Sequence, residues 1–209
     1  MVKQVDTAVP PGVFVHPHAL CESQNVGTGT RVWAFAHILP GAVIGTDCNV
    51  CDGAYIEGGV VVGDRVTIKN HVLIFDGVRV EDDVFLGPAV VFTNDLRPRA
   101  HIKRVGDSLL PTTIRRGATL GAGATVVCGT TVGANAFVGA GAVVTRDVPP
   151  YAFIIGNPAC QIGWVCTCGE RLPDDLHCAE CGRAFEHIDD KSGLRMVEEP
   201  SATFDRSDV

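Results

Sequence analysis

Aromatic residues are scarce in this sequence: they make up 6% of its 209 residues, although hydrophobic residues make up 46%. The apolar content is therefore carried by valine, isoleucine, leucine and alanine rather than by large rings. The sequence also lacks an apolar run near the ~20 residues that a membrane span requires, and residues 1–11 lack the apolar run of a signal peptide. We therefore expect a cytoplasmic protein without a membrane span.

A surplus of positive charge is also missing, because the formal net charge is −7. A general nucleic-acid binder would carry a basic footprint, so we expect no nucleic-acid partner. The 24 glycines favour many tight turns over long helices. A chain of 209 residues is long enough for one substantial domain and a small appendage.

Aliphatic residues recur every six positions along most of the chain, with one break of register between Phe92 and Ile114. Four positions after each of them, Phe92 excepted, stands a small or β-branched residue. The first set is Val26, Val32, Ile38, Ile44, Val50, Ile56, Val62, Ile68, Ile74, Val80, Leu86, Phe92, Ile114, Leu120, Val126, Val132, Val138 and Val144; the second set runs from Thr30 to Val148.

A unit of six residues is too short for a helix and a turn, but it fits one short strand and a turn. Three such sides close a triangular coil that takes one large and one small residue per side into its interior. The repeat therefore predicts an all-β fold, a left-handed parallel β-helix of hexapeptide repeats, over residues 13–164. The eighteen hexads predict six coils, about 29 Å tall. A β-sandwich is the alternative, but it would show period-two alternation.

Two further hexads, starting at Val15 and Cys21, precede the regular repeat, and the second is one residue short. We expect them to form an imperfect first coil that caps the solenoid. Glycine recurs beside the aliphatic position at Gly27, Gly45 and Gly63, which are eighteen residues apart.

The break of register predicts an excursion from the coil at residues 94–113, because 22 positions are not a multiple of six. Residues 95–116 contain six cations, among them Lys103 and Arg104, against Asp95 and Asp107. A basic loop on an acidic protein favours an anionic ligand, and phosphate is the obvious class. The alternative is a solvated loop with ordinary surface charge.

The C-terminal cysteines have the spacing of a metal site. Cys166 and Cys168 form one pair, Cys178 and Cys181 form another, and a glycine follows each pair. Four thiolates predict a closed, structural zinc site in a zinc ribbon at residues 165–198; iron or a disulfide is the alternative. We expect a hairpin around residues 192–193 and a disordered tail at 199–209.

Another pair, Cys48 and Cys51, has the Cys-x-x-Cys spacing of a metal motif, but its position in the repeat indicates another role. Cys48 occupies the small, inward position of its hexad. We therefore interpret this pair as core packing.

Four segments together are similar to one family. They are residues 87–99 (GPAVVFTNDLRPR), 116–129 (RGATLGAGATVVCG), 138–149 (VGAGAVVTRDVP) and 155–164 (IGNPACQIGW). This pattern resembles the bacterial nucleotide-sugar 3-N-acetyltransferases over residues 13–165. The resemblance implies transfer of an acetyl group from acetyl-CoA to the 3-amino group of a UDP- or dTDP-linked amino sugar. It also implies a homotrimer with ligands bound between adjacent prisms.

The resemblance assigns roles to several residues, and each has a structural alternative. Asn94 matches the asparagine that hydrogen-bonds the reacting amine, although it also suits a turn out of the coil. His37 lies in a segment similar to one that lines the sugar site. The remaining candidates are Asn70, Asp76 and Asp95 for the substrate, Arg99 for its phosphates, and His71 or His101 for a general base.

The cofactor site is expected lower on the prism, that is, toward its C-terminal coils. There Gly121, Gly139 and Ala140 leave room for a pantetheine arm beside the backbone. Alternatively, these small residues only allow tight turns. Cys160 stands where similar chains have an arginine, so its task would pass to Arg146.

Three other functions share this fold. A zinc hydratase requires a His-x4-His pair, which the sequence lacks. A non-catalytic scaffold would have no reason to carry the basic excursion. An O-acetyltransferase remains open as an alternative, because a hydroxyl needs a dedicated base such as His37 or His71.

Overall fold

A computed structural model of the chain describes residues 10–102 and 106–198. Its regular structure is almost entirely β, with one short 3-10 helix at Gly106–Ser108. In chain order the strands are β1 (Phe14–Val15), β2 (Leu20–Cys21), β3 (Asn25–Val26), β4 (Arg31–Val32), β5 (His37–Ile38), β6 (Val43–Ile44), β7 (Asn49–Val50), β8 (Tyr55–Ile56), β9 (Val61–Val62), β10 (Thr67–Ile68), β11 (Leu73–Ile74), β12 (Val78–Val80), β13 (Phe85–Leu86), β14 (Val91–Phe92), β15 (Thr112–Ile114), β16 (Thr119–Leu120), β17 (Thr125–Val126), β18 (Thr131–Val132), β19 (Phe137–Val138), β20 (Val143–Val144), β21 (Ala152–Ile155), β22 (Cys160–Val165), β23 (Arg171–Leu172), β24 (Ala184–Asp189) and β25 (Gly193–Glu198).

Every third strand belongs to the same sheet, so the chain winds round three parallel sheets. Sheet A runs β1-β4-β7-β10-β13-β16-β19-β21, sheet B runs β2-β5-β8-β11-β14-β17-β20, and sheet C runs β3-β6-β9-β12-β15-β18. In the regular coils paired residues lie eighteen positions apart, as in Arg31 with Asn49, and the spacing rises to 34 across the excursion, as in Phe85 with Thr119. The predicted left-handed parallel β-helix of hexapeptide repeats is confirmed.

The β-helix has seven complete coils and the beginning of an eighth, so the predicted number of six was too low. Strands β1 and β2 add the irregular first coil, as expected from the hexads at Val15 and Cys21. At the other end, Val148 pairs with Val132 as an isolated bridge, and β21 starts the eighth coil. These last sides depart from the hexad pattern, which is why the repeat did not reveal them.

The interior is formed by the two positions that the repeat singled out. Ile68 and Val72, for example, are both fully buried, and so are nearly all of their counterparts in other coils. Side chains alternate in direction along a strand, so one residue of each pair points inward. Each buried aliphatic side chain contributes about 1.5–3 kcal/mol. Cys48 is fully buried among them, which confirms its interpretation as core packing.

A polar residue also fits this core where the backbone of the next coil satisfies its hydrogen bonds. The hydroxyl of Thr30 donates to the carbonyl oxygen of Gly45 at 2.8 Å and accepts the N–H of Cys48 at 3.0 Å. Because both its donor and its acceptor are paired, burying this hydroxyl costs little.

The excursion covers residues 93–111, whereas the sequence predicted 94–113. Strand β15 begins at Thr112 because this residue pairs with Val78 of β12. The loop leaves the corner between sheets B and C, and the N–H of Leu110 closes its base by donating to the Asn94 carbonyl oxygen at 3.1 Å. Lys103 and Arg104, two of the cations behind the prediction of an anionic ligand, lie outside the described residues.

After the eighth coil begins, sheet A continues in the antiparallel direction through β22 and β23. Strands β24 and β25 form the expected hairpin around residues 192–193. A second apolar cluster forms here around Leu172, Phe185 and Leu194, and Trp164 contacts both this cluster and the β-helix core. The predicted tail, 199–209, lies outside the described residues. Among the described residues, no helix has the length and hydropathy required to cross a membrane.

The glycine column at positions 27, 45 and 63 lies on the edge between sheets C and A, where successive coils touch through their backbones. A Cβ on Gly45 would lie 2.4 Å from the Gly63 carbonyl oxygen, and a Cβ on Gly27 would lie 2.6 Å from the Gly45 carbonyl carbon. Backbone atoms cannot move aside as a flexible side chain can. In these first coils the backbones therefore approach too closely at this edge for a side chain, whereas Glu81 and Arg115 occupy the same position of the following coils.

We predict that Gly45→Ala lowers the free energy of unfolding by about 3 kcal/mol, because the added methyl group forces two coils apart. Gly123→Ala serves as the control: Gly123 has a φ of 68° but nothing within 4 Å of its Cβ position. That substitution should cost only about 1 kcal/mol, from left-handed backbone strain. Urea denaturation followed by circular dichroism measures both, and equal losses would contradict the packing argument.

Candidate active site and metal centre

The three corners of the prism define the positions of the predicted site residues. We call them the AB, BC and CA edges, after the sheets whose successive strands each corner joins. Asp76, Asn94, Asp95 and Arg146 lie on the BC edge; Asn70, His71, Gly121, Gly139 and Ala140 lie on the AB edge; His37 lies on the outer face of sheet B. Sheet B therefore separates the candidates into two groups.

The structure brings Asp76, Asn94 and Asp95 together in a pocket of about 440 Å³ beneath the excursion. Its walls come from the third, fourth and fifth coils and from the loop itself. The other lining residues are Glu57, Gly58, Gly59, Gly106 and Leu109.

Glu57 is a pocket residue that sequence reasoning missed. Its Oε2 accepts the backbone N–H of Asp76 at 2.8 Å, and so it fixes the turn that presents the Asp76 carboxylate. That carboxylate lies over Gly59, where a Cβ would be only 1.6 Å from Oδ1 of Asp76. The Glu57–Asp76 contact joins residues nineteen positions apart, and no motif signals it beyond an acid one coil before Asp76.

The side chain of Asn94 is available for a ligand. The residue is half-buried, and its backbone carbonyl closes the base of the loop. Its side-chain amide makes no hydrogen bond to the part of the chain that the structure describes. Asn94 therefore turns the chain out of the coil and also presents a free amide to the pocket.

Asp95 and Arg99 make contacts within the excursion. Oδ1 of Asp95 accepts the N–H of Arg97 at 2.8 Å, which stabilises the first loop turn. Arg99 is exposed, and its Nη1 donates to the carbonyl oxygen of Pro98 at 3.0 Å. His101 is exposed on the same loop. Arg99 and His101 do not line the pocket that contains Asn94.

His37 lies in β5 on the outer face of sheet B, where its Nε2 is 2.8 Å from Oε2 of Glu22. Its ring packs edge-on against Tyr55, with 5.7 Å between centroids, and Tyr55 in turn contacts Phe75. His37 belongs to the second coil and Asn94 to the fifth, so about 14 Å along the axis separates them. In a trimer whose symmetry axis is parallel to the prism, equivalent residues of different subunits have the same height, so this axial separation would also hold between subunits. The two predicted catalytic residues therefore do not meet at one atom.

Asn70 and His71 lie on the AB edge of the fourth coil, on the opposite side of sheet B from Asp76. His71 is exposed with a φ of 58°, and its ring covers Gly53, where a Cβ would lie 2.3 Å from Nδ1. Asn70 uses its carbonyl oxygen to accept the Ala89 N–H at 2.9 Å. The structure does not bring either residue into contact with Asn94.

The candidates for the cofactor flank the lower outer face of sheet B. A Cβ on Gly121 would lie 2.5 Å from the Ala140 nitrogen, and a Cβ on Gly139 would lie 2.7 Å from Cγ2 of Ile155. Close packing between coils is therefore sufficient to explain both glycines, and their predicted part in cofactor binding stays a prediction. Ala140 is exposed. Arg146 lies across the sheet on the BC edge, beyond Thr125 and Val143.

The four C-terminal cysteines form one cluster, with all sulfur atoms within 4.8 Å of one another. Cys166 and Cys181 are 3.4 Å apart and Cys168 and Cys178 are 3.6 Å apart, so neither pair is a disulfide. A tetrahedron with Zn–S bonds of about 2.3 Å has edges of about 3.8 Å, which these separations match.

Backbone N–H groups point at the sulfur atoms, as in a site prepared for thiolates. Cys168 donates to Cys166, Glu170 donates to Cys168, and Arg183 donates to Cys181. Burial raises the pKa of Cys168 to about 12. Burial also opposes ionisation of Cys181, but the N–H of Arg183 and the Cys166 thiol outweigh it and lower the pKa of Cys181 to about 6. The cluster therefore favours at least one thiolate without a metal.

Comparison with known proteins gives a close relative over most of the chain. The chain is 47% identical over 178 residues to the dTDP-3-amino-3,6-dideoxy-alpha-D-galactopyranose 3-N-acetyltransferase of Aneurinibacillus thermoaerophilus, which covers 84% of this chain and 92% of that protein. Residues 111–146 also match the family described as bacterial transferase hexapeptide (six repeats).

Solved structures of similar fold include two acetyltransferases. The acetyltransferase domain of PglB from Neisseria gonorrhoeae has a TM-score of 0.53 at 25% identity, covering 72% of this chain and 57% of that one, less than two thirds of its length. A hexapeptide-repeat acetyltransferase from Vibrio cholerae, complexed with acetyl coenzyme A, has a TM-score of 0.52 at 26% identity, covering 60% of this chain and 72% of that one.

Proposed function

The chain belongs to the nucleotide-sugar 3-N-acetyltransferase family of hexapeptide-repeat enzymes, and from that membership we propose that it acetylates the 3-amino group of a dTDP-linked amino sugar with acetyl-CoA. The observation that carries this proposal is the 47% identity to an enzyme named for that reaction. The pocket beneath the excursion, with the free amide of Asn94, is its proposed reaction site.

The chemistry requires little more than positioning. The amine nitrogen bonds to the thioester carbonyl carbon, the C–S bond breaks, the sulfur leaves as a thiolate, and the nitrogen loses one proton. An amine with a pKa of about 8 is partly neutral at physiological pH, so no strong base is needed. The side-chain oxygen of Asn94 accepts one N–H and directs the lone pair toward the carbonyl, which supplies the entropic part of catalysis.

The carboxylates around Asn94 suit an amino sugar. Glu57, Asp76 and Asp95 supply acceptor oxygens for sugar hydroxyls, and their negative charge attracts the ammonium form of the substrate. Asn94 then binds the amine once it is neutral. This arrangement makes sugar binding depend on carboxylates and the chemical step depend on the amide.

The nucleotide is proposed to extend toward the N-terminal coils. The outer face of sheet B there carries His37 and Tyr55, followed by Phe75 at the adjacent turn. Aromatic faces stack on bases, at about 1–3 kcal/mol per base. His37 in this proposal contacts the nucleotide sugar and is no general base, because it lies about 14 Å from Asn94 along the axis. Asn70, His71 and Arg99 are proposed as its other contacts.

Acetyl-CoA is proposed to lie against the lower part of the prism. Thr125 and Val143 give sheet B a smooth outer face there, between Ala140 on one edge and Arg146 on the other. The N–H of Ala140 donates to no described residue, and so it can bind a carbonyl of the acyl donor. The acetyl-CoA bound to the similar Vibrio cholerae enzyme supports this donor.

A cytoplasmic homotrimer is proposed as the working form. Large apolar side chains stay exposed on sheet A and the AB edge of the single chain: Phe14 at 47%, Trp33 at 37% and Phe35 at 71% exposure. Apolar surface of this kind is typical of subunit interfaces. Four unpaired cysteines held within one cluster suit a reducing compartment.

Replacing Asn94 and His37 separately tests the reaction site. We predict that Asn94→Ala lowers kcat about 100-fold, because the amine loses its orienting acceptor. His37→Ala should raise KM for the nucleotide sugar while kcat changes about twofold or less, since it contacts substrate away from the reacting atom. A thiol-release assay with acetyl-CoA and dTDP- or UDP-linked 3-amino sugars measures both. A His37→Ala variant whose kcat falls about 100-fold while KM is unchanged would favour a base mechanism and acetyl transfer to a hydroxyl.

Gly59 offers a test of Asp76 that leaves Asp76 in place. Gly59→Ala puts a methyl group where the carboxylate lies, so it should raise KM for the nucleotide sugar about 10-fold, as Asp76→Ala does. The double variant should be no worse than either single one, because both remove the same contact. Additive losses in the same assay would show that Gly59 acts elsewhere.

The cysteine cluster is proposed to hold one structural zinc ion. When bound, the ion cross-links two turns of the ribbon through four thiolates and adds directly to folding stability. The residues that hold it are Cys166, Cys168, Cys178 and Cys181. The ribbon over 165–198 is then a metal-dependent appendage to the β-helix domain of residues 13–164.

We predict one zinc per chain in the purified protein, and loss of that zinc in Cys181→Ser. Cys160→Ser is the matched control, since Cys160 is an exposed thiol outside the cluster and its replacement should leave the metal in place. Inductively coupled plasma mass spectrometry gives the stoichiometry. Iron in place of zinc, or equal metal loss in both variants, would overturn the assignment.

A further inference from the structure

A second pocket, of about 550 Å³, lies where the last complete coil meets the C-terminal hairpin. One wall is the BC edge of the seventh coil, residues 144–149, and the other includes Gln161 and the turn between β24 and β25 with Lys191. Ile154 and Ala159 give it an apolar floor. The pocket is therefore shared between the β-helix and the ribbon.

Arg146 and Lys191 line this pocket together with Asp147 and Asp190, so its formal charges balance, and the two cations are the groups that can contact an anion. Arg146 and Lys191 both contribute to it, and within the described ranges neither takes part in an ion pair. Of the two acids, Asp147 uses Oδ1 to accept the Thr131 N–H at 2.7 Å, and Asp190 lies 3.9 Å from His187 on the solvent side. Two cations thus remain for a ligand while one acid is already engaged.

The pocket lies in line with the proposed reaction site. Arg146 follows the inward residue Val144 by two positions, as Asn94 follows Phe92, so both occupy the same place on the BC edge. Two coils, or about 10 Å, separate them along the axis. The residue between them in this column, Cys128, is buried and projects nothing into the path. An extended pantetheine arm can span the distance from Asn94 to the pocket.

Aromatic and backbone contacts hold the hairpin firmly against the coil. Tyr151 packs on Phe185 with centroids 5.1 Å apart, and Trp164 packs on His187 at 5.5 Å. Gly193 approaches the Pro150 carbonyl oxygen so closely that a Cβ there would be 2.3 Å away. The position of Lys191, two residues before Gly193, is therefore fixed relative to Arg146.

We propose that this pocket binds phosphate groups of the acyl donor, and that the zinc-ribbon hairpin supplies Lys191 as a second cation beside Arg146. The inference rests on the proposed function and deepens it. It gives the ribbon a part in substrate binding as well as in capping the β-helix.

The test compares two charge-removing variants of the same hairpin in the full-length, metal-loaded protein. Lys191→Gln should raise KM for acetyl-CoA about 10-fold, with kcat and KM for the nucleotide sugar unchanged. Arg195→Gln removes one cation outside the pocket, where Arg195 forms an ion pair with the half-buried Glu186, and should leave all three constants within about twofold. With acetyl-pantetheine, which has no phosphate, Lys191→Gln and the unchanged protein should behave alike.

Three outcomes would overturn the inference: an unchanged KM for acetyl-CoA in Lys191→Gln, an equal loss with acetyl-pantetheine, or a raised KM for the nucleotide sugar alone. The last would assign the pocket to the phosphates of the other substrate. Absence of turnover with every amino sugar would instead count against the proposed function. In that case calorimetric titration of CoA into both proteins decides the pocket, and equal affinities reject it.

Discussion

Each coil stacks on the next at the distance between hydrogen-bonded strands, and the rest of the structure depends on this constraint. Each inward residue lies directly over its counterpart in the next coil, so the interior accepts one large and one small side chain per side. The CA edge shows how little tolerance remains, because Gly27, Gly45 and Gly63 leave no room for a Cβ between coils. Because stacking is regular, the coil to which a residue belongs determines its position along the prism axis.

Height along the axis organises the proposed function. The aromatic residues near His37 lie in the upper coils, the carboxylate pocket with Asn94 lies in the middle, and Arg146 lies near the lower end. A nucleotide sugar and acetyl-CoA can therefore meet end to end at the reacting amine. Separating the two binding regions along one rigid prism fixes the distance between the substrates without any moving part.

The sequence predicted the fold well because hexads report burial directly. Every inward residue that the repeat identified between Val26 and Val144 is buried, and the family resemblance agrees with the relative that the comparison found. The coil number was too low because Val148 and β21 complete the prism with irregular spacing.

Residues such as Glu57, Glu22 and Lys191 could not be found from sequence, since their partners depend on stacking or on the hairpin. The axial distance between His37 and Asn94 likewise follows from the coil count and not from any motif around either residue.

The C-terminal strands also determine how the solenoid ends. A parallel β-helix finishes in unpaired strand edges, which are templates for end-to-end growth into fibres. Here β22 runs antiparallel along β21, while the N–H of Val143 donates to Gly156 and its carbonyl oxygen accepts the Ala159 N–H. Two of the three sheets are thus closed by the chain that follows them. The same segment that leads into the cysteine cluster therefore acts as a terminator, which leaves sheets A and B without a parallel edge that another solenoid could extend.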